Sequence, residues 1–157
     1  MGTIATYDWE AADDRPQPHD TANDTAVFDQ ALAALAAFDQ TFGRPLTPSF
    51  VAELHVARML GLRLRGTPNA PGFDGWDAEQ RRYEIKYRQP RNIIDINGFD
   101  FDVLVLVNLN ARYQPSGIWT LDVATAQHIA VYREKFRKYQ ITQQHFKAKA
   151  RPIVSTS

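Results

Sequence analysis

Gly72-Phe73-Asp74-Gly75-Trp76-Asp77-Ala78-Glu79-Gln80-Arg81-Arg82-Tyr83-Glu84-Ile85-Lys86 is the stretch that decides how this chain folds. Its second half alternates: Tyr83, Ile85 and Tyr87 are apolar or aromatic, while Arg82, Glu84, Lys86 and Arg88 are charged. Side chains two apart share one face of a strand. The pattern therefore predicts a half-buried strand over 81–88, with Glu84 and Lys86 side by side at roughly 7 Å between Cα atoms. Residues 73–76 predict a partner strand, joined to the first by the short polar turn 77–80. Closing that hairpin brings Asp74 level with Tyr83 and Glu84, so two carboxylates and one ammonium converge.

Outward from the hairpin, the chain alternates helical and extended patterns. Upstream, Val27, Phe28, Leu32, Leu35, Phe38 and Phe42 recur at helical spacing until Gly43. Thr47-Pro48 is a helix start, a capping hydroxyl followed by proline at the first helical position, for a helix over 48–60 closed by Gly61. Glu53 lies on it, beside an apolar face made by Phe50, Val51, Leu54 and Ala57. Residues 62–65 alternate apolar and basic as a strand does. Downstream, residues 89–100 predict a loop, with Pro90, Asn97 and Gly98 around Ile93, Ile94 and Ile96. Residues 101–109 are nearly continuous in β-branched and apolar side chains, the pattern of a central strand buried on both faces. A short strand over 118–121 and a helix over 122–138 capped by Asp122 follow. A short basic helix is expected over 142–150, before Pro152. This order predicts an α/β (α+β) domain with a mixed sheet, because its central pair is a hairpin.

Composition narrows the function classes. A chain of 157 residues suits one core. No apolar run is long enough to span a bilayer as a helix, so no membrane partner is expected. Absent cysteine excludes disulfides and thiolate zinc sites, and the four histidines stand at no hydrolytic-zinc spacing. The start of the chain is acidic, not the basic-then-apolar layout of a secretory signal, and a cytoplasmic location is the expectation. The net charge of zero is a cancellation. Residues 1–30 carry seven acids against Arg15, and residues 133–151 carry seven bases against Glu134. Residues 1–24 are expected to form a flexible acidic arm, and residues 25–157 one domain with a basic C-terminal segment.

Paired carboxylates suit a hard divalent cation, Mg²⁺ with Mn²⁺ able to substitute, and the backbone carbonyl of Ile85 lies between them to complete the set. A cation held there polarises a phosphate and supplies a nucleophile at neutral pH, while Lys86 stabilises developing charge. The catalytic candidates are thus Asp74, Glu84 and Lys86. The metal candidates are Asp74, Glu84 and the Ile85 carbonyl. Asp77 competes with Asp74 for the first carboxylate but lies in the turn, too near Glu84 in sequence to oppose it well. Arg88, Gln89, Arg91, Lys147 and Lys149 are candidates for touching a nucleic-acid backbone, each with a plain solvated reading beside it.

Asp74, nine residues, then Glu84-Ile85-Lys86 resembles the D…ExK signature of the PD-(D/E)xK nuclease superfamily, whose fold is restriction-endonuclease-like. The surroundings are similar to that family from residue 48 to 138. A helix precedes the sheet, an acid-bearing strand and the ExK strand follow, then a hydrophobic strand and a helix. The family often carries an inward glutamate on the first helix, which Glu53 matches; Glu53 is a metal candidate or an ion-pair partner of Arg58 or another base. Phe73 stands where the signature has proline. The resemblance implies a central mixed sheet flanked by helices and Mg²⁺-dependent endonucleolytic hydrolysis of DNA, in restriction and defence or in repair and recombination. Cutting both strands of a duplex favours a homodimer, and so short a chain leaves room for a targeting protein partner. The alternatives are a catalytically silent module that binds nucleic acid or protein on the same fold, and a phosphodiesterase directed at RNA.

Overall fold

In the computed structural model, which describes residues 21–66, 71–87 and 92–155, two helices precede the first strand. Helix α1 (Thr21–Phe42) begins four residues before the expected start at Thr25, and the rest of the expected arm, residues 1–20, lies outside the described residues. Gly43 ends α1 in a left-handed conformation (φ 64°), its N–H donating to the Asp39 carbonyl at 2.7 Å. Its apolar stripe stays largely exposed, Phe42 included, and only Phe38 is half-buried. Phe38 and Phe42 meet the Phe50 ring edge-on at 5.6 and 5.7 Å, while Val27, Phe28, Leu32 and Leu35 are exposed. Helix α2 (Pro48–Leu60) starts as its sequence demands: the Thr47 hydroxyl accepts from the Phe50 N–H at 3.1 Å, and Gly61 closes it at φ 67°.

The strands are β1 (Arg63–Leu64), β2 (Gly75–Trp76), β3 (Arg82–Tyr87), β4 (Ile93–Ile96), β5 (Val103–Leu109) and β6 (Pro115–Asp122). After helix α3 (Val123–Ile129) come β7 (Val131–Arg133), a 3-10 turn at Glu134–Phe136, β8 (Lys138–Thr142), helix α4 (Gln143–Lys149) and β9 (Arg151–Ser155). They form a six-stranded sheet in the order β1-β2-β3-β5-β6-β9 and a three-stranded sheet in the order β4-β8-β7. β3 and β5 run parallel, and every other pair is antiparallel, so the large sheet is mixed.

Strand β5 is the hub. Leu104 and Leu106 face one core with Ile94, Ile96, Phe101, Leu121, Ile141 and Phe146; Val105 and Val107 face the other with Ala52, Val56, Tyr83, Ile85 and Ile118. All four side chains from Leu104 to Val107 are buried, as expected of a central strand, and each contributes about 1.5–3 kcal/mol of apolar transfer. Helix α2 covers the second face. The small sheet with α3 and α4 covers the first.

Three expectations are corrected. The helix over 122–138 stops at Ile129, where Ala130 turns extended (ψ 139°), and residues 131–142 form a hairpin. Val131 and Tyr132 favour a strand, and Tyr132 packs its ring 5.1 Å from Tyr139 across the pair. The expected loop over 89–100 contains β4, whose buried Ile94 and Ile96 alternate with exposed Ile93 and Asp95. No element is expected after residue 150, but Arg151–Ser155 adds β9 to the edge of the large sheet. The expected helix over 142–150 is present as α4, with the Thr142 hydroxyl capping it from the His145 N–H.

Candidate active site

The hairpin folds at Asp77. Its carboxylate accepts from the N–H groups of Glu79 and Arg81, both at 3.0 Å, from Arg81 Nε at 2.8 Å and from the Tyr83 hydroxyl at 3.0 Å. Burial works to raise its pKa, but the hydrogen bonds from the Arg81 N–H, Tyr83 and the Arg81 side chain outweigh it and hold Asp77 below the usual carboxylate range. Asp77 therefore builds the turn and does not reach the cleft.

Asp74 stands where β2 has not yet begun. Gly75 pairs with Tyr83 and Trp76 with Arg82, which puts Asp74 opposite Glu84. The Asp74 N–H donates to the Tyr83 carbonyl and its carbonyl accepts from the Arg65 N–H, both at 2.8 Å. Its carboxylate Oδ2 then accepts from the Ile85 N–H at 2.6 Å, in the place a further rung of backbone would occupy. In a strand the N–H and carbonyl of one residue leave on the same edge, so the Ile85 carbonyl also points to this edge. Glycine is required beside Asp74: a Cβ on Gly75 would lie 2.6 Å from the Arg63 carbonyl oxygen.

Around that edge lies a cleft of about 370 Å³ lined by Arg44, Glu53, Arg65, Asp74, Glu84, Ile85 and Lys86. Glu84 and Lys86 reach it from one face of β3, and Glu53 reaches it from α2 on the opposite face. The three carboxylates share one opening only because β2 is two residues long. Lys86 Nζ is 2.5 Å from Glu84 Oε1. The guanidinium of Arg44 forks onto Glu53 at 2.8 and 3.4 Å and lies 3.9 Å over the Phe50 ring. Glu53 is buried, and its partner is Arg44, not Arg58.

This crowding acts on Asp74. Burial first, then the charges of Glu84 and Glu53, push its pKa from 3.8 to about 7, against the Ile85 N–H and Lys86, which lower it. The donors are all hard oxygens, and the raised carboxyl is one whose ionised form a cation stabilises. The set of Asp74, Glu84 and the Ile85 carbonyl fits Mg²⁺ in kind. In the arrangement seen, Glu53 is turned to Arg44 and Glu84 to Lys86. Among the described residues no three acidic or histidine side chains close on one point.

Of the other candidates, Arg88, Gln89 and Arg91 lie outside the described residues. Lys147 and Lys149 are on α4, away from the cleft, with Lys147 4.1 Å over the Trp119 ring. Arg44 and Arg65 also line the cleft and were not among the residues expected there. Arg65 ends the alternating stretch 62–65, a pattern that marks a strand but not its neighbour, and Arg44, in a link between helices, carries no periodic signal. No protein-family model matches the chain, and no curated protein matches it.

Proposed function

We propose that this chain is a metal-dependent endonuclease of the PD-(D/E)xK type, on a restriction-endonuclease-like fold, that hydrolyses phosphodiester bonds in DNA. The observation that carries the reading is the open edge of β3. Asp74 sits there opposite Glu84, with the Ile85 carbonyl between them, Lys86 beside them, and the Asp74 carboxyl raised to about 7 by burial and its acidic neighbours. The parallel β3–β5 pair with α2 on one face and α3 on the other supports the same fold.

Asp74, Glu84 and the Ile85 carbonyl would hold Mg²⁺ or Mn²⁺, with Glu53 available once Arg44 releases it. What a divalent cation supplies in such a site is Lewis-acid polarisation of the phosphoryl oxygens. The protein does the rest. Lys86, kept in place by Glu84, presents an ammonium to the charge that develops on the phosphate. Arg44 and Arg65, on the cleft wall, bind and orient neighbouring phosphates. Without a cation Asp74 keeps its proton up to about pH 7, so binding the cation releases that proton.

One observation favours a second reading, a binding module without the reaction: Glu53 and Glu84 each already have a cationic partner. Incubating the protein with supercoiled plasmid, linear duplex, single-stranded DNA and RNA, with Mg²⁺, Mn²⁺ or EDTA, decides between them. The expected result is cleavage of DNA that needs the cation and is lost in Asp74→Ala and Lys86→Ala. Cleavage that persists in both variants or in EDTA rejects this site; binding without cleavage under any cation establishes the second reading.

A further inference from the structure

The residues from 131 to 138, expected as the end of a helix, instead form an exposed hairpin. Arg133, Lys135, Arg137 and Lys138 face a single acid, Glu134, so this short span carries a charge of about +3 in a chain whose net is zero. Three apolar or aromatic side chains are exposed among those cations: Val131 at 50%, Tyr132 at 47% and Phe136 at 54%. Tyr132 is the outer ring of a row. It lies 5.1 Å from Tyr139, which lies 4.7 Å from Phe99, so its position is fixed from within. Arg137, in a left-handed turn at φ 51°, brings the chain back from the tip.

The hairpin is joined to the cleft. A second cavity of about 230 Å³ shares Lys86 and Tyr87 with the first and runs over Ile94 and Leu106 to Lys138, the first residue of β8. Lys138 Nζ stands 3.9 Å from Asp95 there. A route from Lys86 to Lys138 thus runs past Asp95 to the hairpin, where Lys138 pairs with Arg133 and where Lys135 and Arg137 lie in and after the turn.

We propose that the β7–β8 hairpin is an arm for single-stranded nucleic acid that leads away from the cleft. Phosphates lie on Arg133, Arg137 and Lys138, and bases lie against Tyr132 and Phe136. Cations interleaved with exposed rings are the chemistry of single-strand binding, because an unpaired base offers a free face to stack and a duplex does not. The direction of the route rests on the proposed nuclease reading; the binding itself does not. With that reading, the substrate is DNA that carries an unpaired segment next to the bond cut.

The test is fluorescence anisotropy with the full chain in EDTA, using a labelled 20-nucleotide oligothymidylate and a duplex of equal length. The wild type should bind the single strand more tightly than the duplex. Phe136→Ala and Tyr132→Ala should each weaken single-strand binding by about tenfold, with less effect on the duplex. Phe136 lies outside the ring row, so its variant keeps the test valid if Tyr132→Ala fails to fold. Replacing Arg133, Arg137 and Lys138 by alanine should lower the slope of log affinity on log salt by about 2. Unchanged single-strand affinity in Phe136→Ala and the triple variant overturns the proposal. So does a duplex preference that all variants share. A loss of dimer mass in light scattering, with oligonucleotide binding intact, also overturns it and makes the hairpin a subunit contact. A chain that binds through the arm but never cuts keeps this inference and rejects the nuclease reading. A chain that cuts while its arm variants bind normally does the reverse.

Discussion

Replacing Asp74 by asparagine should change how stability depends on pH, and the sign follows from the cleft. A carboxyl whose pKa rises from 3.8 to about 7 on folding favours the folded state in its protonated form. That stability is complete below the unfolded value of 3.8, declines as pH rises, and is gone above about 7. The full difference is about 4 kcal/mol as an upper bound, of which about 2–3 kcal/mol falls between pH 5 and pH 8. Asparagine keeps an oxygen for the Ile85 N–H and has no proton to lose. Urea denaturation followed by tryptophan fluorescence, in EDTA, should show the wild type losing stability from pH 5 to pH 8 relative to Asp74→Asn. With saturating Mg²⁺ the wild-type curve should flatten, because a cation selects the ionised carboxylate, and the variant should not respond. Parallel curves for the two proteins from pH 5 to pH 8 refute the claim that burial and Glu84 raise this carboxyl. An equal Mg²⁺ response in both refutes the assignment of the cation to Asp74.

Arg44→Ala should cost on the order of 3 kcal/mol, because it leaves the buried Glu53 without its partner; thermal denaturation measures this, and adding Glu53→Gln should recover part of the loss. Gly75→Ala should destabilise by about 1–3 kcal/mol, since the new Cβ meets the Arg63 carbonyl, and should abolish cleavage by moving Asp74; a variant as stable and active as the wild type contradicts the β1–β2 approach. Thr47→Ala should lower stability by about 1 kcal/mol through loss of the α2 cap, read from the shift in urea midpoint. In a cleavage assay at limiting Mg²⁺, the acid limb of the rate profile should lie near pH 7 and move lower as the cation is raised; a limb fixed near pH 4 at all concentrations argues against Asp74 as the titrating group.

The site was legible where a local rule carried it. Alternation from Arg82 to Tyr87 gave the shared face of Glu84 and Lys86, and the short turn at Asp77 gave the level of Asp74, because both depend only on backbone period and count. The unbroken apolar run of β5 likewise announced burial on both faces. What failed depended on distant partners. Ala126, Ile129, Tyr132 and Phe136 fit a helical period, yet the pairing of Val131 and Tyr132 with Gln140 and Tyr139 outweighs it. Ile93 to Ile96 is too short to declare itself between a proline and a glycine, and becomes a strand because β8 lies beside it. Pro152 read as a terminator, yet an edge strand tolerates it, and β9 is such an edge. Arg44 had no signal because its role is set by how α1 and α2 meet, which no sequence period encodes.

The two-residue length of β2 has a further consequence, in solubility. A strand that outlasts its neighbour offers bare N–H and carbonyl groups to any passing extended chain, which is the seed of strand addition and aggregation. Asp74 occupies the Ile85 N–H with a side chain, and the charges of Glu84 and Lys86 stand beside it. The same acid whose carboxyl is raised by burial in the cleft also keeps the sheet from growing. Asp74→Ala should therefore do more than silence the site: it should raise light scattering on storage at concentrations where Lys86→Ala stays clear, and Asp74→Asn, which keeps an acceptor for Ile85, should remain clear as well.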